Sequence, residues 1–591
     1  MKKLLLSLAL LLVGIFANAQ VVADWSSTIP TLSNYNNHTI ASDSQGNVYS
    51  VGVYNGTAND FDPGSGVFNM DSFSNNMYIL KLDAAGNFVW AKQIGGGTNY
   101  AITSATSITI DSSDNIYISG STNKIVGIGN LDFDPGAGLV NVINPTGHYV
   151  MYILKLDSNG NYIWDKQFNN PANTSYDLDT IQSMKVDASG NVYATGGYNG
   201  TVDFDPSAGV YNLTSVATYL STEIFILKLD NLGNFVWAKA LQNNDTTTGS
   251  KIDKGYAIDV DTSENVYTVG YFWGAIDADP GAATHSLAGY TSNNPIIVAA
   301  NVLYVSKLDA SGNFVWAYNL VGDHNLQFLP SMAVDNSNNI IISGSVWSNV
   351  SSLLDFDFGA GTYNLPTNIG AYVFKINANA GFIWAKGTVI DNSQTINDSQ
   401  DYSTGLTLDA VGNIYTTGGF RTTRDFDSSA TNYNLTSAGN YDTYVSKLDT
   451  NGNFIWATKA GGTGLEWGYS LAVSPQGKVI VSGSTDTGFD RSVAVTTGGF
   501  LASFTQPALA TSKFDLDKNI LIYPNPTSGN FNIEVNQDLI GAKVTVYNVL
   551  GQKIKDFALT VLITHQNLEK GMYLLEIEKE GSVLTKKIIV N

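Results

Sequence analysis

Short apolar runs, each closed by turn residues, follow one another along most of this chain, and two kinds of paired run alternate. One kind reads "KLDAAGNFVWAKQIGG" from Lys81 and returns as "KLDSNGNYIWDKQF" from Lys155, "KLDNLGNFVWAKAL" from Lys228 and "KLDTNGNFIWATKA" from Lys447. The other reads "ITIDSSDNIYISG" from Ile108, "MKVDASGNVYATG" from Met184, "IDVDTSENVYTVG" from Ile258 and "LTLDAVGNIYTTG" from Leu406. Related copies of the second kind start at Thr39, Met332 and, most divergently, Leu471. In both, two β-rich runs flank Asp-x-x-Gly-Asn or a close variant. The Asp side chain can bond forward to the turn backbone, and Gly or Asn takes the positive φ of the reversal. The pattern therefore predicts antiparallel hairpins. Because the runs are almost continuously apolar, their sheets should be covered on both faces.

Spacing turns hairpins into an architecture. The tryptophans of the first hairpin stand at 90, 164, 237, 316, 384 and 456, separated by 74, 73, 79, 68 and 72 residues. Each unit thus holds two hairpins, and a four-stranded sheet covered by its own copies is a propeller blade. Six complete first-type pairs leave a seventh unit short. "GGFLASF" (Gly498 to Phe504) supplies a third strand without a fourth, and "VVADWSSTIP" from Val21 supplies an orphan fourth strand, its Trp25 standing 65 residues before Trp90. The expected fold is all-β: a seven-bladed β-propeller over residues 20–506, closed by the N-terminal strand, which also removes exposed sheet edges. An open β-solenoid is the alternative. The units, "D-x-x-G-N-h-Y-x-x-G" followed by "h-K-L-D-x-x-G-N-h-x-W", resemble the bacterial seven-bladed β-propeller repeats over about residues 22–506. That resemblance implies a fold and an extracellular setting, and no defining activity.

Beyond a linker at 507–517 the pattern changes. "ILIYPNPTSGNFNIEV" from Ile520, "AKVTVYNVLGQKIKDF" from Ala542 and "NLEKGMYLLEIEKEGSVLTKKIIV" from Asn567 predict a small β-sandwich over 518–591. The order "YPNP", "TSGNF", "VYNVLGQ", "GMYLLEI" and a final "KKIIV" is similar to the C-terminal sorting domain of type IX secretion. The resemblance implies passage across the outer membrane, removal of the tail near residue 510 and release or surface attachment, with the secretion machinery as partner. At the other end, Lys2 and Lys3 precede an apolar run to Ala17 and an Ala17-Asn18-Ala19 site, so residues 1–19 are expected to be a signal peptide. The apolar run is short for a bilayer span and no other stretch is a transmembrane candidate.

Composition sharpens this picture in two ways. The chain has no cysteine, so neither disulfides nor an acylated cysteine can secure an exported protein. Its net charge of −21 lies in the repeats: nine lysines and nine acidic residues follow residue 512, and two lysines sit in the leader. Residues 20–512 therefore keep 19 basic against 42 acidic side chains. A body this acidic repels phosphate backbones, which argues against nucleic acid as a partner.

Chemistry has two candidate locations. An insert after each second strand carries an Asp-x-Asp pair: Asp60 and Asp62, Asp132 and Asp134, Asp203 and Asp205, Asp277 and Asp279, Asp355 and Asp357, Asp425 and Asp427. The seventh copy keeps only Asp490. Repeated carboxylates suit calcium, which takes oxygen ligands; Asp before Pro-Gly equally suits a turn. The second location is where equivalent positions disagree. Three residues after the second-strand glycine stand Asn55, Asn123, Asn199, Trp273, Trp347, Arg421 and Asp486. Trp273, Trp347 and Arg421 form a candidate ligand patch, two indoles and a guanidinium suited to a sugar ring. The same side chains also suit packing beneath the inserts. Enzyme signals are sparse: His38, His148, His285, His324 and His565 fall in different segments without metal spacing, and Glu466 beside Trp467 is the one acid outside the repeated pattern. The sequence therefore points to a secreted or surface β-propeller that binds glycan or protein. An extracellular polysaccharide lyase or hydrolase is the alternative, and a purely structural adhesin the third.

Overall fold

A computed structural model of the protein describes residues 21–30, 39–95, 102–123, 131–142, 149–170, 179–216, 221–244, 252–289, 302–320, 329–346, 354–366, 369–390, 401–429, 432–485, 498–506, 520–535, 539–579 and 582–591. Trp347, Asp486, Asp490, the leader and the linker lie outside these residues. Two compact units emerge, Val22–Thr505 and a second that contains Gln506–Asn591. Among the described residues there is no α-helix, and no helix long and apolar enough to cross a membrane.

The first unit consists of successive antiparallel four-stranded sheets, each in chain order. The third, for example, runs Thr180–Val186, Val192–Tyr198, Glu223–Leu229 and Phe235–Asn243. The last sheet begins with Glu466–Val473, Val479–Thr485 and Gly498–Thr505 and takes its fourth strand, Val22–Ile29, from the other end of the unit, Val22 facing Thr505 and Ile29 facing Gly499. The two middle strands of the fourth sheet, Val266–Phe272 and Val302–Leu308, are buried throughout. First and fourth strands alternate between buried and half-exposed positions, as their edge location requires. Two inserts behave in a way the sequence did not announce. The Ile276–Asp277 and Ser286–Leu287 hairpin pairs with the fourth strand of the third sheet, and the Thr423–Asp425 and Asn434–Thr436 hairpin with that of the fifth, extending each to six strands.

The repeated letters are explained by contacts. In the second hairpin, the turn Asp accepts two backbone amides through Oδ1, and its Oδ2 accepts the following Asn and Tyr: in the fourth sheet Ser263 and Asn265 amides at 2.9 Å, Asn265 Nδ2 at 2.8 Å and Tyr267 Oη at 3.0 Å. The third-strand lysine lies over that tyrosine, Lys307 Nζ 5.0 Å from the Tyr267 ring centroid, and then reaches onward to donate to Ala378 O of the next unit at 3.2 Å. The fourth-strand indole takes the same direction: Trp237 donates to Ala310 O and Trp316 to Ala378 O, both at 3.1 Å. Lys and Trp are thus the links between neighbouring sheets.

A second series of links runs along the first strands. Ser107 Oγ accepts the Met184 amide, Ser183 Oγ that of Ile258, Asp259 Oδ2 that of Val334, and Ser331 Oγ that of Leu406. In the same way Ser470 Oγ, in the last sheet, accepts the amide of Ile40 in the first at 3.4 Å. The first strands of the second, third, fourth, sixth and seventh sheets carry a bulge opposite the second-strand glycine, between Gly255 and Ala257 in the fourth. There a Cβ on Gly270 would lie 2.0 Å from Lys254 O, and on Gly196 1.9 Å from Thr180 O. Only glycine lets the bulged strand lie this close.

The second unit packs Ile520–Tyr523, Asn530–Val535 and Ile563–Asn567 as one sheet. The other sheet runs Lys553–Ala558, Lys543–Asn548, Gly571–Lys579 and Ser582–Val590. Phe531, Ile533, Val544, Val546, Leu575 and Ile577 fill the core between them.

Candidate functional site

Each Asp-x-Asp pair fastens its own insert. Oδ1 of the first aspartate accepts the amide two residues on and the amide eight residues on: Asp60 from Asp62 and Phe68 at 3.0 and 2.8 Å, Asp132 from Asp134 and Val140 at 2.9 and 2.7 Å, Asp203 from Asp205 and Tyr211 at 3.0 and 2.8 Å. Asp277, Asp355 and Asp425 repeat the arrangement with His285, Tyr363 and Tyr433 as the distant partners. Oδ1 of the second aspartate accepts one more amide, from Gly64 to Asp62, Gly136 to Asp134, Ser207 to Asp205, Gly281 to Asp279, Gly359 to Asp357 and Ser429 to Asp427. These are Asx-turn bonds. Among the described residues no group of three or more His, Cys, Asp or Glu is placed to hold a metal ion.

The position three residues past the second-strand glycine is built from buried acids. Asp179 Oδ1 accepts the Asn199 amide at 2.6 Å, and Asp253 Oδ1 accepts that of Trp273 at 2.8 Å. An asparagine from the preceding sheet closes each clasp: Asn170 donates to Asp179 Oδ2 at 2.9 Å, Asn243 to Asp253 Oδ2 at 2.7 Å. Register with the glycine places Asp401 and Glu466 at the same position in the sixth and seventh sheets, since Ser403 faces Gly418 and Gly468 faces Gly483. Glu466, which the sequence sets apart, is thus a fourth member of the series. These acids fix where the strand ends and therefore where Trp273 and Arg421 stand. Both are half-exposed, in the fourth and sixth sheets, while their proposed companion Trp347 is outside the described residues.

Around Arg421 the structure assembles side chains that the repeat comparison did not single out. Its guanidinium lies over the Tyr441 ring at 5.4 Å. Tyr441 stacks on Tyr402, centroids 5.3 Å apart, with their hydroxyls 3.1 Å from one another. Tyr402 stacks in turn on half-exposed Trp467 at 5.0 Å and 16°. The sixth and seventh sheets are tied beneath this stack, where Glu466 N donates to Tyr441 O at 3.0 Å. Three fully buried acids lie alongside. Asp401 pairs with Arg424 Nε at 2.6 Å, Asp442 accepts Lys459 Nζ at 2.8 Å, and Glu466 Oε2 accepts the Gly462 amide at 3.0 Å. Asp442 and Glu466 converge on one point: a Cβ on Gly461 would lie 2.8 Å from Asp442 Oδ1 and 2.9 Å from Glu466 Oε2. The legible signal was the acid–aromatic dipeptide, Asp401-Tyr402 and Glu466-Trp467, at the same repeat position.

In the fourth sheet that position is Lys254, adjoining Asp253, and burial pushes its ammonium down to about 8 against the opposing pull of Asp179. His285 rests on the Phe314 ring at 4.8 Å with Nε2 3.0 Å from Ala317 O, a packing role.

Comparison with known proteins agrees with the fold. Residues 521–591 match the secretion system C-terminal sorting domain and residues 89–124 match the β-propeller repeat. The chain therefore carries β-propeller repeats ahead of a type IX sorting domain, which marks it for export to the cell surface or the medium. An uncharacterized WD repeat-containing protein of Acanthamoeba polyphaga mimivirus is 25% identical over 536 residues, 80% of this chain and 36% of the relative, so the match spans about a third of that protein. Among solved structures, PorZ, an essential bacterial surface component of the type IX secretion system of Porphyromonas gingivalis, is similar at 11% identity. The similarity covers 96% of this chain and 100% of that one, with a TM-score of 0.17. A glycoside hydrolase family 32 protein of Bifidobacterium adolescentis is similar at 8% identity over 83% and 96% of the two chains, TM-score 0.24.

Proposed function

We propose that residues 22–505 form a closed ring of seven blades that acts outside the cell as a binding module for glycan or for a surface protein. Closure is supported by the Val22–Ile29 strand in the last sheet and by first strands that touch in series, the last against the first. Lys478 Nζ also donates to Ala84 O, from the seventh sheet to the first, at 3.2 Å. In an open solenoid these ends would stand apart.

The binding reading rests on one observation: the stack of Arg421, Tyr441, Tyr402 and half-exposed Trp467 at the strand ends of the sixth and seventh sheets. A pyranose ring lies flat on an indole, and a guanidinium donates in plane to hydroxyl or carboxylate oxygens. Trp273 offers a second indole at the equivalent point of the fourth sheet, and Trp347 of the fifth extends the patch in this reading. The Asp-x-Asp pairs are turn fasteners in this account, and calcium has no assigned place. A polysaccharide lyase or hydrolase is the second reading, favoured by the convergence of Asp442 and Glu466 at Gly461.

One assay separates the two. The exported protein is incubated with a panel of polysaccharides while retention and new chain ends are followed together. Retention without new ends, reduced about tenfold in Trp467→Ala and Arg421→Ala as expected for loss of an aromatic or charged contact, supports the binding module. New reducing or unsaturated ends that disappear in Glu466→Gln support the enzyme. Absence of both from every polysaccharide directs the reading to a protein partner.

A further inference from the structure

The junction between the fifth and sixth sheets departs from the four junctions before it at several positions at once. The residue facing the third-strand aromatic is Gln93, Gln167, Ala240 and Asn319 in the first four sheets and Lys459 in the sixth, but Gly387 in the fifth. The next residue is a buried Ile94, Phe168, Leu241 or Leu320 in the first four sheets, Ala460 in the sixth, and Thr388 here. The insert that covers the junction has Pro63, Pro135, Pro206, Pro280 or Phe358 after its second aspartate, and Ser428 here. Phe358 shows what that position does when filled: it stacks on Tyr318 at 5.4 Å and 5°.

Loss of this bulk leaves a cavity of about 240 Å³, lined by Lys386, Gly387 and Thr388 on one side and by Asp427, Ser428 and Tyr444 on the other, with Phe426 and Phe454 as apolar walls. A water's share of liquid is about 30 Å³, so the space exceeds what one or two bridging waters fill. Two donors at this junction have no acceptor among the described residues. Lys386 has no hydrogen bond or ion pair among the described residues, a condition it shares with Lys166 and Lys239, while Lys92 of the first sheet donates to Gly160 O at 2.8 Å. The buried indole N–H of Trp384 is unpartnered, where Trp237 and Trp316 each donate to the next turn. Its ring abuts Gly452, itself part of the cavity wall.

We propose that this cleft is a binding site for a single neutral sugar unit. The walls alternate apolar rings with hydroxyls, and one cation and one carboxylate offset each other, so a ligand with hydroxyls that both donate and accept fits better than an ion. The site shares no residue with the Arg421 stack and goes beyond the binding reading above. The exported protein is titrated by calorimetry with D-glucose, D-galactose, D-mannose and N-acetylglucosamine, and with glucuronate as the anionic comparison. At least one neutral sugar should saturate a single site. Ser428→Phe, which restores the fifth insert's aromatic, and Lys386→Ala, which leaves the volume open, should each weaken it about tenfold, the worth of one charged contact. Thermal unfolding checks that Ser428→Phe is folded, and Lys386→Ala decides the matter if it is not. Failure of all four neutral sugars to saturate, binding undiminished in the decisive variants, or saturation by glucuronate alone overturns the assignment.

Discussion

Arg424 is the largest fully buried side chain among the described residues and stands where four other inserts place Leu131, Val202, Ile276 and Leu354. Its Nε binds Asp401 at 2.6 Å, its Nη1 binds Thr422 Oγ1 at 2.6 Å, and Thr388 Oγ1 donates to Asp401 Oδ2 at 3.2 Å. A polar trio thus replaces the apolar plug that Phe168 with Val202, or Leu241 with Ile276, makes at the second and third junctions. Paired charges withdrawn from water contribute little net stability, yet either one alone is costly. Arg424→Ile should therefore destabilise the first unit by about 3 kcal/mol, the range for stranding one buried charge. Asp401→Asn in the same chain should recover more than half of that, because asparagine can keep the backbone contact that Asp253 makes to Trp273. Denaturant midpoints of the two variants test it. A double variant no better than the single would show that the pair itself, and not the stranded charge, holds the junction.

At the scale of the hairpin, much was legible from sequence. Asp-x-x-Gly-Asn gave turn position, and the third and fourth strands could be assigned in register from the Trp interval alone. The sequence could not show that Lys and Trp reach into the following unit, because their spacing reports only their own strand. Nor could it show that Glu466 belongs with Asp179, Asp253 and Asp401: the bulge shifts the register by one residue, so counting from the turn misaligns the strand start. The Arg421 stack was half legible for the same reason, Arg421 lying on the countable side of the bulge and Tyr402 and Trp467 on the other. The turns themselves carry a pH signature. Burial opposes ionisation at Asp83, Asp111, Asp157, Asp230, Asp309, Asp335 and Asp409, but hydrogen bonds from the following Asn and turn amides, and at Asp335 first from Lys375, outweigh it and hold all seven below the ordinary carboxylate value. The unfolded chain then binds more protons than the native one over this range. Their contribution is complete above about pH 4, the unfolded value, and is lost as pH falls through the lower native values. Thermal midpoints measured from pH 6 down to pH 2 should stay level and then fall steeply below about pH 4. A curve that keeps its level to the acid end would mean the turns are not the linked groups.

For the whole first unit, the decisive pairing is between its ends. Trp25 and its strand lie against Gly498–Thr505, and Thr505 Oγ1 donates to Asp24 Oδ1 at 2.6 Å across 481 residues. Every other sheet of the unit is completed locally, so among its strand pairings this is the one that must wait for most of the chain to be in place, as the Ile40–Ser470 and Lys478–Ala84 contacts also do. Its loop-closure entropy is the largest of those pairings. The ring hypothesis then makes a demand that an open stack does not. A chain lacking Val22–Ile29 leaves the last sheet with three strands and an apolar edge, Phe500 to Phe504, without a backbone partner. In a ring this also removes the strand beside the first sheet, so the whole unit should unfold at a lower denaturant concentration and associate with rising protein concentration. A synthetic peptide spanning 21–30 should restore both properties by re-pairing the edge. In a solenoid the same deletion trims a terminal cap and affects only its nearest repeat, leaving the main transition in place. Sedimentation and denaturant titration of the shortened chain, with and without the peptide, therefore distinguish a ring closed by its first strand from a stack that merely begins with it.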